Sequence, residues 1–104
     1  MIRNAFVMKL KPGFEEEYKR RHDEIWPELS EALTRAGISD YSIFLDERTL
    51  TLFGVQKLTD DNTSADLPSL PIMRKWWDYM GDIMDTNPDH SPVCLPLREM
   101  FHMD

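Results

Sequence analysis

The chain has 104 residues, of which 41% are hydrophobic, 30% charged and 11% aromatic. This composition fits one folded domain and excludes a disordered chain, a collagen-like repeat and, with one cysteine, a disulfide-rich scaffold. Twelve basic and 19 acidic side chains give a net charge of −7, the wrong sign for binding a nucleic-acid backbone. No apolar run approaches the ~20 residues of a membrane span, and the chain opens on strand-like sequence rather than a signal peptide. We therefore expect a single cytoplasmic domain over residues 1–104, with no nucleic-acid or membrane partner.

The first predicted element is a strand from Ile2 to Leu10. Within it, Phe6 and Met8 alternate with Ala5 and Val7. Both faces are therefore apolar near the middle, which is typical of a strand covered on both sides.

A helical pattern follows from Phe14 to Leu29, with apolar side chains at i, i+4 and i+7. Pro27 lacks an N–H group to donate and disfavours helical geometry at Trp26. The sequence therefore predicts a kink or restart at this point. Helix should resume through Leu33 and end before Gly37.

The rest of the chain alternates between strand and helix patterns. The runs Tyr41–Leu45 and Leu50–Leu58 predict two strands, and the short polar turn between them favours an antiparallel hairpin. The polar, proline-containing residues 59–71 predict a loop or a broken helix. Ile72–Met84 has helical spacing, and alternation from Leu97 to Met103 predicts a fourth strand.

The predicted order is β-α-β-β-α-β, the ferredoxin-like arrangement of the α+β class with a four-stranded antiparallel sheet. Two helices can cover only one face of such a sheet. The other face would expose apolar residues to water, which monomers avoid. We therefore expect two chains to pack sheet to sheet as a homodimer.

Tyr18 and His22 are the first candidate functional pair. Their i, i+4 spacing puts phenol and imidazole on one helix face, where both can touch a common ligand. That face is the apolar one, so His22 would be a titratable group in a partly dry site, which suits proton transfer near neutral pH. A core histidine bonded to a backbone carbonyl gives the same pattern, and the spacing alone favours that structural role.

Trp76 and Trp77 are the second candidate. Neighbouring helical residues differ by about 100°, so one indole should face the sheet and the other its flank. Aromatic walls bind sugars through ring faces and indole N–H groups, although a large core helix gives the same pattern. Tyr41 is either a hydroxyl near a strand end or an ordinary strand aromatic. The three histidines lie far apart in the sequence, and nothing indicates a metal site.

Nearly the whole chain resembles the L-rhamnose mutarotase family. Five segments carry the resemblance: Met1–Met8, Glu17–Leu29, Tyr41–Asp46, Trp76–Met80 and Asn87–Val93. Their combination is far more specific than any single segment. The resemblance implies a dimeric ferredoxin-like barrel, no cofactor, and interconversion of the α and β anomers of L-rhamnose.

The same resemblance implies a set of site residues. His22 is the implied proton donor, and Tyr18, Tyr41, Trp76 and Trp77 are the implied substrate contacts. On this hypothesis, protonated His22 donates to the ring oxygen, the tyrosines orient hydroxyl groups and the indoles wall the sugar ring. Either Tyr18 or a bound water could accept the anomeric proton.

Some segments depart from the family pattern, and other functions stay open. Residues 59–70 differ from the family's helix-favouring stretch, and His90 and His102 lie where the resemblance suggests no fixed histidine, so both are left out of the site. The alternatives are a cofactor-free monooxygenase or haem-degrading enzyme of the same dimeric barrel architecture, and a non-catalytic sugar-binding module.

Overall fold

The computed structural model describes residues 1–104 as a four-stranded antiparallel sheet with helices on one face. The strands lie in the order β2-β3-β1-β4, which confirms the predicted ferredoxin-like α+β fold. The elements are β1 (Ile2–Lys9), α1 (Glu15–Asp23), α2 (Pro27–Arg35), β2 (Ile38–Asp46), β3 (Thr51–Leu58), a 3₁₀ segment (Ser64–Ser69), α3 (Pro71–Met80) and β4 (Leu95–Pro96).

The predicted break in the first helical region is confirmed. α1 ends at Asp23, and α2 begins with Pro27 at its first position, where a missing N–H removes no helical hydrogen bond. Trp26 takes an extended conformation (φ −62°, ψ 129°), as the residue before a proline prefers. Gly37, with φ 95°, follows the end of α2 and turns the chain into β2.

The β2–β3 hairpin contains an irregularity that affects the site. Pairing shifts register between Ser39 and Ser42, and Asp40 within this bulge has φ 47°. A bulge bends its strand and re-aims the side chains around it. Tyr41 lies inside the bulge, and its ring meets Phe6 of β1 edge-on at a centroid distance of 6.2 Å.

The core lies between the helices and the inner face of the sheet. Leu10 and Leu52 contribute from the strand side, and Leu29 and Ile83 contribute from the helical side. Each of these four side chains is almost completely buried. Burial of a leucine or isoleucine stabilises a fold by about 1.5–3 kcal/mol, so this layer fixes how the helices sit on the sheet.

The prediction of a fourth strand from Leu97 to Met103 is wrong. β4 is only Leu95–Pro96, paired with Phe6 and Val7, and the last ladder hydrogen bond runs from the Leu97 N–H to the Ala5 carbonyl. Beyond that point the chain has no regular structure and its large apolar side chains are exposed. Arg3 of β1 still contacts Glu99 through its side chain, so β1 is present here and only the backbone pairing ends. Alternation indicates which side chains share a face, but not whether the backbone hydrogen-bonds to a neighbouring strand.

The outer face of the sheet is apolar and uncovered, as predicted. Phe44, Val55 and Leu95 are 64%, 42% and 62% exposed. They share this face with Ala5 and Val7, because Val55 pairs with Ala5 and Leu95 with Val7. Contiguous exposed apolar surface of this kind usually marks an interaction site. No helix of the chain has the length and hydropathy needed to cross a bilayer.

Candidate functional site

A cavity of about 920 Å³ lies between the helices and the inner face of the sheet. Four of the five predicted site residues line it: Tyr18 and His22 from α1, Tyr41 from β2 and Trp76 from α3. Pockets for small molecules typically measure about 300–1,000 Å³. The fold therefore brings these residues, distant in sequence, into one enclosure of the size that a small ligand needs.

His22 is held by aromatic rings inside this cavity. Its imidazole stacks on the Tyr18 ring at 4.3 Å between centroids and meets the Trp76 indole edge-on at 5.3 Å. The imidazole Nδ1 lies 3.0 Å from the Tyr18 carbonyl oxygen. A carbonyl oxygen can only accept, so Nδ1 carries the hydrogen and donates it. In neutral His22 the lone pair is then on Nε2, where it can take a proton from a ligand.

Burial sets the protonation states of His22, Tyr18 and Tyr41. It lowers the pKa of His22 below the ordinary 6.5, and the hydrogen bond to the Tyr18 carbonyl offsets this only in part. The imidazole is therefore mainly neutral at pH 7. Burial also raises the pKa of the Tyr18 phenol, and it raises the pKa of Tyr41 to about 12. Both tyrosines remain protonated at neutral pH and can donate hydrogen bonds.

Trp76 belongs to a wider aromatic cluster with Trp26 and Tyr79. The Trp26 and Trp76 rings meet edge-on at 5.1 Å, and Trp26 stacks on Tyr79 at 5.5 Å. Because the helix breaks before Pro27, Trp26 lies between α1 and α2, and its indole packs against the Trp76 ring. Neither Trp26 nor Tyr79 lines the cavity, and sequence reasoning did not predict that they pack against Trp76.

Trp77 lies apart from the cavity. It is half-buried and packs against the core, while Trp76 is buried at the cavity wall. This is the divergence of about 100° expected for neighbouring helical residues. A role for Trp77 in binding substrate stays a prediction from the family resemblance.

Arg21, the neighbour of His22, ties α1 to the segment after α3. Its guanidinium donates to the Tyr79 carbonyl at 2.7 Å, to Asp82 at 2.9 Å and to Glu17 at 2.7 Å. It also lies 4.3 Å from the centroid of the Tyr79 ring. The side chain is only 10% exposed. These contacts fix the position of α1, and therefore of His22, relative to the α3 aromatic residues.

The structure shows no metal centre, and the other two histidines lie outside the cavity. No three His, Cys, Asp or Glu side chains are grouped so that they could hold a metal ion. His90 pairs with Asp78 and His102 with Asp104. Neither histidine lines the cavity.

Comparison with known proteins shows the family of the chain. A family model described as L-rhamnose mutarotase matches residues 3–103. The L-rhamnose mutarotase of Flavobacterium johnsoniae is 62% identical over 103 residues, 99% of this chain and 96% of that protein. The L-rhamnose mutarotase of Bacteroides thetaiotaomicron is 56% identical over the full length of both. A crystal structure of L-rhamnose mutarotase from Formosa agariphila superposes with a TM-score of 0.94 at 51% identity, covering 100% of each chain. The chain belongs to the L-rhamnose mutarotase family.

Proposed function

We propose that this protein is an L-rhamnose mutarotase, an isomerase that interconverts the α and β pyranose anomers of L-rhamnose, with His22 as the proton-transfer group. The observation that carries the proposal is the free Nε2 of His22 in an aromatic-walled cavity. Membership of the mutarotase family supplies the substrate.

The cavity walls suit a sugar ring. Aromatic faces pack against the C–H groups of a pyranose, and the Trp76 ring stands at the wall beside His22. The protonated phenols of Tyr18 and Tyr41 can donate to sugar hydroxyl groups from opposite layers of the fold. These groups orient the ring so that its anomeric carbon lies at Nε2.

One imidazole is sufficient for the proton transfers. The Nε2 atom of neutral His22 takes the proton of the anomeric hydroxyl, the C1–O5 bond breaks and the C1=O1 double bond forms. The imidazolium then gives its Nε2 proton to O5, which leaves the open-chain aldehyde and a neutral histidine. Both oxygens are bonded to C1, so a single nitrogen can serve them in turn. Rotation about C1–C2 and the reverse steps close the ring on the other face.

This mechanism revises two sequence-based hypotheses. Burial favours neutral rather than protonated His22 at rest, so the proton given to O5 comes from the anomeric hydroxyl. Tyr18 is a poor acceptor of that proton, because its raised pKa keeps it a phenol and its anion inaccessible at neutral pH.

Exchange NMR on L-rhamnose tests the function directly. The two anomeric proton signals exchange slowly in buffer, and we expect the protein to transfer magnetisation between them at catalytic concentrations. An exchange rate equal to that of buffer, with tryptophan fluorescence still responding to L-rhamnose, would instead indicate a sugar-binding module. A haem absorption band or oxygen uptake with a quinol would favour the haem-degrading or monooxygenase alternatives.

We also propose that two chains form a homodimer through the outer face of the sheet. The support is its exposed apolar surface, including Phe44 on the edge strand β2 and Val55 on the neighbouring strand β3. Sedimentation equilibrium should report twice the chain mass, and Phe44→Asp should shift the mass toward the monomer. Dimers of equal strength in that variant would contradict this interface.

The cytoplasm is the proposed compartment. The single cysteine, Cys94, is an exposed free thiol, which fits a reducing environment. Cell fractionation that recovers the protein with periplasmic or secreted material would contradict this proposal.

A further inference from the structure

The sheet side of the cavity carries a pair of amides that the mechanism does not use. Asn4 of β1 and Gln56 of β3 are direct register partners, and both line the cavity. The Nδ2 of Asn4 donates to the Oε1 of Gln56 at 3.0 Å. Gln56 is only 7% exposed, which is unusual for a polar side chain and requires an explanation.

Half of the Gln56 amide has no partner within the chain. Oε1 accepts from Asn4, while the Nε2 hydrogens make no hydrogen bond to any other group. Every fully buried side-chain nitrogen or oxygen in the chain has a hydrogen-bond partner. Because Nε2 of Gln56 has none, it is not fully buried, and it faces the cavity that Gln56 lines. A donor in this position is paired only when something in the cavity accepts from it.

We propose that Gln56 is a specificity-determining residue that donates a hydrogen bond from Nε2 to a ring hydroxyl of the sugar, with Asn4 as its positioning residue. The inference rests on the proposed function, since it takes the cavity as the sugar site. The hydroxyl is not the anomeric one, because O1 and O5 lie at His22 on the helical side. Gln56 approaches from the strands, across the cavity from α1.

The Asn4–Gln56 bond decides how the pair recognises the sugar. An amide can present either its oxygen or its nitrogen to a ligand, and the two differ in what they recognise. Because Asn4 engages the oxygen end, the nitrogen end is presented to the cavity. The site then favours a sugar with an acceptor oxygen at this point, and a sugar without it leaves a desolvated donor unpaired.

Kinetics on Gln56→Leu test the assignment. Leucine is close in size and removes only the polar end, and a contact far from C1 contributes equally to ground and transition states. KM for L-rhamnose should therefore rise about three- to tenfold while kcat stays within about twofold. Asn4→Ala keeps the Gln56 donor but removes the hydrogen bond that holds the Gln56 amide in place. We therefore expect a smaller rise in KM.

Deoxy sugars identify the hydroxyl involved. Analogues of L-rhamnose that lack the hydroxyl at C2, C3 or C4 are compared on the wild type and on Gln56→Leu. The analogue that lacks the recognised hydroxyl should bind the wild type as weakly as L-rhamnose binds Gln56→Leu. The Gln56→Leu substitution should not weaken the binding of that analogue further. An effect spread equally over all three analogues, or confined to kcat, would overturn the proposal.

The controls separate this inference from the proposed function. If the wild type does not accelerate anomer exchange, the proposed function itself fails. If the wild type is active and folded Gln56→Leu has an unchanged KM, only the role of Gln56 fails. Circular dichroism reports whether each variant is folded. If Gln56→Leu does not fold, Asn4→Ala decides: an unchanged KM there overturns the inference.

Discussion

Replacing Arg21 with methionine should destabilise the protein far more than the same change at its neighbour Arg20. Both arginines lie on α1 and both bond to Glu17. They differ in burial: the Arg21 side chain is 10% exposed and the Arg20 side chain is 54% exposed. Methionine keeps most of the aliphatic length and helix propensity of arginine, so the comparison isolates the guanidinium.

The size of the effect follows from the interactions that the Arg21 guanidinium makes. Without it, the carbonyl of Tyr79 has no charge-assisted donor at 2.7 Å, a bond of about 1.5–3 kcal/mol. The interaction with the Tyr79 ring adds about 0.5–1 kcal/mol. Asp82 is 65% exposed and can be hydrated again, so its pair adds little. We expect the free energy of unfolding to fall by about 2–3 kcal/mol, which lowers the melting temperature of a domain of this size by roughly 10–20 °C.

Thermal and urea denaturation of the two variants measure this difference. Arg20→Met should lie close to the wild type, because its ion pairs are exposed to solvent. The reasoning would be refuted if Arg21→Met and Arg20→Met melted at the same temperature. It would also be refuted if Arg21→Met were as stable as the wild type, since its buried hydrogen bonds would then contribute nothing.

Three further predictions concern the cavity. The rate of anomer exchange should rise with pH through a pKa below 6.5 and level off at neutral pH. The reason is that burial lowers the pKa of His22 and the neutral form starts the reaction. A rate that falls between about pH 6 and 8 would contradict this. Cys94 lines the cavity, so saturating L-rhamnose should slow its alkylation by iodoacetamide. D-glucitol, which has no sugar ring, is the control and should leave the alkylation rate unchanged. Equal rates with and without L-rhamnose would place the sugar elsewhere. Trp76→Phe should remove most of the fluorescence change caused by L-rhamnose, since only Trp76 among the three tryptophans lines the cavity; an undiminished change in this variant would contradict the placement of the sugar.

Local signals predicted most of the fold. The proline at 27 located the break between α1 and α2, and the polar turn after Asp46 located the hairpin. The i, i+4 spacing of Tyr18 and His22 likewise predicted that their rings share one face, and they stack. Each of these features depends on residues that lie close together in the sequence, so the local sequence pattern is enough to predict it.

The missed features depend on pairing between distant segments. The amides of Asn4 and Gln56 meet across 52 residues, and Arg21 meets Asp82 across 61. No periodicity reports such partners. The fourth strand was misplaced for a related reason, since alternation beyond Leu97 does not reveal whether the chain keeps its backbone hydrogen bonds to β1, which extends to Ile2.

Exchange NMR on His22→Ala is the most direct test of proton transfer at His22. We expect the folded variant to lose about 10²–10⁴-fold of the enzymatic anomer exchange rate, the usual contribution of a general acid or base, while still binding L-rhamnose. A folded His22→Ala protein that exchanges the anomers as fast as the wild type would contradict the assignment of His22 as the proton-transfer group.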